Sequence, residues 1–185
     1  MKAWQHFCTV TRHRHLVMRY CFRLGLYRQG LCHDLSKYSP AEFIPGAKYY
    51  LGYRSPNDAE RMARGYSAAW LHHKGRNKHH LEYWTDTGLN PGEQTVGLEI
   101  PLRYVAEMVC DRIAAGQTYK GKDFSWDQPY AYYLRSRPKY LIHPNTAALL
   151  EDMLLRLKEQ GPDETFRHIR RLLEEEKKNR KRGHT

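Results

Sequence analysis

The chain has 185 residues, which is long enough for one domain with a full hydrophobic core. It contains no run of about 18 apolar residues and no apolar signal-peptide centre near its N-terminus, so we expect a cytoplasmic protein without a membrane partner. Its four cysteines form no CxxC pair, which argues against a disulfide framework or a structural zinc knuckle. The net charge of +11 suits a protein that handles phosphates or carboxylates, but it does not by itself indicate nucleic-acid binding.

The apolar residues follow a helical spacing along most of the chain. Pro40 and Pro101 stand at positions where proline commonly opens a helix. Gly30, Gly75 and Gly116 stand where a helix commonly ends. The predicted helices cover residues 4–28, a short segment from Pro40, and residues 59–73, 101–115, 145–160 and 163–178.

The remaining segments show no alternating pattern long enough to predict a strand. Residues 85–99 are predicted to form a loop, and residues 117–143 an irregular, aromatic-rich lid or core patch. The sequence therefore predicts an all-α fold with a single domain at residues 1–175. A basic tail, expected to be flexible, follows at residues 176–185.

Histidines and aspartates form an unusual set. The stretch AWLHHKGRNKHHLEYW places four histidines in nine positions. His13 and His15 lie in the first predicted helix, His33 is followed directly by Asp34, and Asp111 interrupts the apolar segment EMVCDRIAA. Imidazole and carboxylate groups are common ligands of transition metals, and a metal would justify a carboxylate on an apolar helix face. A buried salt bridge, for example with Arg103, is the alternative for Asp111.

The order His…His-Asp…Asp, with a lysine three residues after the His-Asp pair, resembles the HD superfamily of metal-dependent phosphohydrolases. This resemblance implies an HD-like helical bundle. The ligands that it implies for a first metal are His13 (or, less favoured, His15), His33, Asp34 and Asp111. Members with two metals add histidines between the His-Asp pair and the last aspartate. A seven-residue separation returns to the same helix face, which favours His73 and His80 as these ligands, with His72 and His79 as secondary candidates. If Gly75 ends the helix instead, the neighbours His79 and His80 would both reach the site.

The chain up to about residue 170 is also similar to an uncharacterised bacterial family. The shared motifs are HDLSKYSPxEF, HHKGRNKHHxEYW and EMxCDRxAA, which occur here at residues 33–43, 72–84 and 107–115. That similarity implies a fold but no established reaction.

The HD resemblance implies hydrolysis of a nucleotide or another small phosphoester, with one or two divalent ions of manganese, iron, cobalt or zinc. Asp34 would bridge the metals or orient a water, and Lys37 would balance phosphate charge. Further phosphates would be bound by Lys74, Arg76 and Lys78. Glu82 and Glu107 are candidate carboxylates that fix histidine tautomers, and Glu82 is also a candidate catalytic group.

Two other functions remain open at this stage. HD-fold proteins that hold two irons and activate dioxygen use a similar ligand set, since histidines and a bridging carboxylate also suit iron. A nucleic-acid- or nucleotide-binding module with a structural metal is the second alternative. In that module the basic tail and residues 74–78 would bind the phosphates, and binding would be salt-sensitive.

Overall fold

The computed structural model describes residues 1–90, 92 and 94–182, and these contain eight α-helices and one small sheet. The helices are α1 (Lys2–Arg23), α2 (Tyr27–Cys32), α3 (Pro40–Lys48), α4 (Pro56–Arg64), α5 (Ala68–Lys74), α6 (Leu102–Lys120), α7 (Gln128–Ser136) and α8 (Pro144–Arg182). Strands β1 (Thr85–Thr87) and β2 (Thr95–Gly97) pair antiparallel, with Asp86 opposite Val96. The all-α prediction is confirmed, since the hairpin has only three residues in each strand.

Helix α6 lies at the centre of the core, between α1 and α8. Its middle turns are buried almost all round, including Val105, Val109 and Ile113, which are fully buried. A helix that is buried on nearly every face needs neighbours on every face, which α1, α7 and α8 supply. Fully burying each such side chain contributes about 1.5–3 kcal/mol. No helix of the described residues is long and apolar enough to cross a membrane.

The first helix is shorter than predicted. It ends at Arg23, and Gly25 then adopts a positive φ of 75° that reverses the chain into α2. Gly30 lies inside α2 and does not end a helix. A Cβ at this position would lie 3.0 Å from Cys21 Cβ of α1, so the glycine permits two helices to approach closely.

The helix predicted for residues 59–73 is wrong as a single element. It is divided into α4 and α5 at Gly65, which has a φ of 79°. The short hairpin forms within the predicted loop of residues 85–99, in which residues 91 and 93 lie outside the described residues.

Two further boundaries differ near the C-terminus. Helix α6 continues past Gly116, where a Cβ would lie 2.7 Å from the ring of Phe124, so this glycine also serves close packing. Helix α7 forms in the segment predicted to be irregular. The break between the helices predicted at 145–160 and 163–178 is present within α8, at Gly161 (φ 77°, ψ 178°), and α8 continues into the predicted basic tail. The end of that tail, residues 183–185, lies outside the described residues.

Candidate metal centre and adjoining cavity

The His33–Asp34 pair forms a tight turn after α2. Asp34 adopts the left-handed conformation (φ 53°), alone among the non-glycine residues of the described chain. Aspartate tolerates this conformation better than most residues, and such strain is concentrated at functional sites. Arg14 of α1 holds the turn, because its Nε donates to the His33 carbonyl at 2.7 Å and its Nη2 to the Leu31 carbonyl at 3.0 Å. The turn thereby positions the Asp34 carboxylate, whose side chain is 1% exposed.

One oxygen of Asp34, Oδ2, faces the predicted ligands of the first metal. It lies 3.8 Å from His13 Nε2 and 3.5 Å from His33 Nε2. Asp111 Oδ1 lies 3.0 Å from His13 Nε2 and 3.8 Å from His33 Nε2. Two ligands held about 2.1 Å from one ion lie about 3.0 Å apart at a right angle and about 3.4 Å apart at the tetrahedral angle. Donor atoms of His13, His33 and Asp34 lie within 4.8 Å of one another, near the spacing that one ion needs, and Asp111 contacts two of them. The alternative His15 is exposed.

The other oxygen, Asp34 Oδ1, faces a second group of histidines. His73 Nε2 and His79 Nε2 each lie 3.3 Å from it. One donor atom from each of Asp34, His73, His79 and His80 lies within 4.8 Å of all the others. Asp34 therefore stands between two sets of nitrogen donors, in the position of a bridging carboxylate.

The chain after α5 explains why both His79 and His80 reach this group. The helix ends at Lys74, and Asn77 then donates from Nδ2 to the His73 carbonyl at 2.8 Å and to Ser36 Oγ at 3.0 Å. The argument from a seven-residue helical repeat does not apply to this non-helical segment.

His72 points elsewhere. Its Nδ1 lies 2.6 Å from Glu42 Oε1, and its side chain is 25% exposed. The structure corresponds to the alternative in which the helix ends near Gly75, so that His79 and His80 both reach the cluster, whereas His72 contacts Glu42.

Two buried glutamates orient the clustered histidines. Glu107 Oε1 accepts hydrogen bonds from His33 Nδ1 at 2.9 Å and from His79 Nδ1 at 3.1 Å. Glu42 Oε2 accepts from His73 Nδ1 at 2.7 Å. A carboxylate that occupies the Nδ1 proton leaves the Nε2 lone pair free for a metal. Sequence reasoning identified Glu107 but missed Glu42.

Glu82, proposed from sequence for a similar role, lies on the wall of the larger cavity described below. The glutamates that contact the clustered histidines belong to α3 and α6 instead. Glu42 stands three residues after Ser39, in a segment that the sequence indicated only as the start of a helix. Nothing in that pattern indicated that its carboxylate would contact histidines.

The electrostatics of the cluster favour a cation. Burial by itself would lower the pKa of His79, but the neighbouring carboxylates of Asp34 and Glu107 raise it to about 10, so a metal bound at His79 would displace a proton. Burial would likewise raise the pKa of Glu107, but hydrogen bonds from His33 and His79 lower it to about 2. The pKa of Asp34 is held well below its usual range against burial, by His33 and Lys37. The carboxylates therefore remain ionised and attract positive charge.

The strongest indication of a metal comes from buried atoms without hydrogen bonds. In the described part of the chain, these include the Nε2 atoms of four of the clustered histidines and Asp34 Oδ1. The histidines concerned are His13, His33, His79 and His80. A buried polar atom without a partner is costly, and most such atoms in native proteins have one. An ion bound by these donors would satisfy them together, so the residues fit a transition metal with nitrogen and oxygen ligands.

Two cavities adjoin at the cluster. The first, which we call the histidine cavity, has a volume of about 170 Å³ and is lined by His13, Asp34, Lys37 and His73 among others. The second, which we call the arginine cavity, has a volume of about 410 Å³ and is lined by Arg54, Arg112, Tyr132 and Tyr140 among others. The two cavities share the wall residues Ser55, Trp70, His80, Asp111, Ala115 and Tyr119.

The basic residues predicted to bind substrate are not at these cavities, with the exception of Lys37. Lys74, Arg76 and Lys78 line neither of them. Arg76 Nη1 donates to the His72 carbonyl at 3.1 Å, and Lys78 Nζ lies 5.7 Å from the Tyr83 ring. Arg76 and Lys78 are exposed, whereas His73 and His79 in the same segment are buried.

The arginine cavity contains basic residues that sequence reasoning missed. Arg54 and Arg112 both line it. The only sequence signal for Arg112 was its position directly after Asp111 in an apolar helix. Nothing in the sequence separated Arg54 from other surface arginines.

The family model of DUF5662, a family of unknown function, matches residues 2–156. The chain belongs to DUF5662. The region matched to DUF5662 includes every residue that lines the two cavities. Neither the curated proteins nor the solved structures contain a match to this chain.

Proposed function

We propose that this protein is a metal-dependent phosphohydrolase that acts on a nucleotide or another small phosphoester. The observation that carries this proposal is the position of Asp34 between two sets of histidine donors, at a cluster of buried atoms without hydrogen-bond partners. A divalent cation held by these residues would supply an activated water and would polarise a phosphoryl oxygen.

The charge of the cluster supports a requirement for cations. Four carboxylates, those of Asp34, Glu42, Glu107 and Asp111, stand against the single ammonium of Lys37 when the histidines are neutral. This excess of negative charge would repel a phosphate. Two divalent ions would make the net charge of the site positive and favour binding of an anionic substrate.

The protein's own residues contribute positioning and charge. Lys37 Nζ lies 2.6 Å from Asp34 Oδ2, at the wall of the histidine cavity, where it can also contact a phosphoryl oxygen. Burial would lower the pKa of Lys37, but the charges of Asp34 and Asp111 raise it, so the side chain remains a cation. Glu107 and Glu42 hold the imidazoles in the tautomer that presents Nε2 to the ligand position.

The test begins with metal content, measured by inductively coupled plasma mass spectrometry on tag-free protein. Asp34→Asn is the informative variant, because asparagine also tolerates the left-handed conformation and keeps the shape of the side chain. Asp163→Asn, on the exposed surface of α8, is the matched control. We expect near-stoichiometric metal in the wild type and the control, and its loss in Asp34→Asn.

Activity is then assayed on p-nitrophenyl phosphate, bis-p-nitrophenyl phosphate and a nucleotide panel, after loading with manganese, iron, cobalt or zinc. The proposal expects turnover that Asp34→Asn abolishes and chelation removes. Metal binding without turnover of any of these esters would overturn the hydrolase proposal.

The number of histidines favours one other reaction class, oxygen chemistry at two irons. Five imidazoles surround Asp34, those of His13, His33, His73, His79 and His80. Imidazole suits iron as well as manganese or zinc. Stoichiometric iron, together with dioxygen consumption and no release of phosphate, would establish this second function in place of the first.

A further inference from the structure

Arg112 is a half-buried cation with two buried nitrogen atoms that lack hydrogen-bond partners among the described residues. Its Nε and Nη1 atoms are buried, and neither has a hydrogen-bond partner among the described residues. Its Cζ atom lies 5.6 Å from the ring of Tyr132 and 5.8 Å from the ring of Tyr133. The described residues also place no carboxylate within ion-pair distance of it. Aromatic rings compensate only part of the cost of burying a guanidinium, because they leave its donors unsatisfied.

Arg54 repeats this pattern on the same cavity. It lies between α3 and α4, and its Nε is buried without a hydrogen-bond partner in the described chain. Asp58, which also lines the arginine cavity, does not neutralise these cations, since its Oδ1 lies 2.7 Å from Arg61 Nη1. Two arginines from separate elements therefore line one cavity, and each has at least one buried donor atom without a partner.

Arg112 is directed away from the metal ligands. Successive residues of a helix diverge by about 100°, so Asp111 and Arg112 leave α6 in different directions. Asp111 contacts His13 of α1, whereas Arg112 lies against tyrosines of α7. The arginine cavity thus has the metal-ligand candidates His80 and Asp111 in one part of its wall and Arg112 in another.

We propose that Arg112, assisted by Arg54, binds a second anionic group of the substrate, separate from the phosphoester that is hydrolysed. The substrate class is then a phosphoester that also carries another phosphate or a carboxylate. The cavity volume of about 410 Å³ is within the range of about 300–1,000 Å³ that holds small ligands. Guanidinium groups pair with both kinds of anion through bidentate hydrogen bonds. This substrate assignment rests on the hydrolase function proposed above.

The experiment measures anion binding in metal-free protein by isothermal titration calorimetry, with inorganic phosphate and malonate as the two probes. Arg112→Met removes the charge and keeps the length of the side chain, and Arg112→Lys keeps the charge. Arg103→Met is the matched control, because Arg103 also lies on α6, stacks on Tyr104 at 4.8 Å and lines neither cavity. The probe that binds more tightly distinguishes a phosphate from a carboxylate as the second group.

We expect Arg112→Met to weaken binding roughly 10- to 100-fold, the effect of losing charge-assisted hydrogen bonds. The affinity of Arg103→Met for the two probes should remain within about twofold of wild type, since Arg103 does not line the cavity that binds them. The melting temperature of ligand-free Arg112→Met should equal or exceed that of wild type, because the variant replaces an unsatisfied buried charge.

Three results would overturn the proposal: no binding of either probe to wild type, unchanged binding to Arg112→Met, or a clear loss of thermal stability in Arg112→Met. The third result would show that Arg112 is a structural residue. Binding to metal-free protein does not depend on turnover. A failure of the hydrolase proposal and a failure of the anion site are therefore separate results.

Discussion

Glu107→Gln should weaken metal binding on both sides of Asp34. Glu107 accepts hydrogen bonds from His33 Nδ1 at 2.9 Å and His79 Nδ1 at 3.1 Å. His33 faces Oδ2 of Asp34, and His79 faces Oδ1. Glutamine keeps the shape of the side chain but removes the charge. The substitution therefore weakens the hydrogen bonds that orient His33 on the Oδ2 side of Asp34 and His79 on the Oδ1 side.

The size of the effect follows from the role of such carboxylates. Loss of a carboxylate that orients a metal-ligating histidine reduces metal affinity about 10- to 100-fold. This corresponds to about 1.4–2.8 kcal/mol for each ion. The substitution at Glu42 provides a comparison, because Glu42 contacts His73 but neither His33 nor His79 in the described contacts. Glu42→Gln should weaken only the ion on the Oδ1 side.

The assay is competition with a chromophoric chelator, which yields the dissociation constant of each ion. Asp152→Asn is the matched control, because Asp152 Oδ2 lies 3.3 Å from His168 Nε2, away from both cavities. Far-ultraviolet circular dichroism verifies that each variant is folded. An affinity of Glu107→Gln within twofold of wild type for every ion would refute the assignment of Glu107 as the carboxylate that orients these histidines.

Two further predictions concern stability around the N-terminal half of α1. Burial, and then the charge of Lys37, lower the pKa of His6 from 6.5 to about 4. Its neutral form is therefore favoured in the folded state, so the free energy of unfolding should fall by up to about 3 kcal/mol as the pH drops from 6.5 to 4. In urea unfolding of metal-free protein across this pH range, the free energy of unfolding should fall less in His6→Gln than in wild type. An identical fall in both proteins would show that protonation of His6 is not its cause. Gly46→Ala would bring a Cβ into overlap with the His6 imidazole, and we expect a loss of about 1–3 kcal/mol, measured by thermal unfolding. An equal loss in a His6→Ala background would exclude this contact as the cause.

The sequence by itself determined the fold class and most of the candidate donors. Helical spacing and helix-opening prolines predicted an all-helical chain, because these signals are local and depend on residues within a few turns. The resemblance to the HD superfamily implied His13 (or, less favoured, His15), His33, Asp34 and Asp111 as ligands. The structure places His13 close to Asp34 and Asp111, and His33 close to Asp34. The local pattern predicted that Gly30 and Gly116 end helices. In the structure both lie inside helices, where they permit close contacts with residues from other elements.

Only the tertiary structure decided which atoms face the cluster and what supports them. Glu42 lies about 30 residues from His73 in sequence, and their contact depends on how α3 packs against α5. The inward direction of both His79 and His80 depends on the non-helical path after Lys74, and the isolation of Arg112 depends on the absence of a carboxylate near it in the described fold. Residue type and spacing specify which groups can bind a metal or an anion. Distances, burial and unsatisfied hydrogen bonds arise only when separate helices meet, because they depend on contacts between residues far apart in the chain.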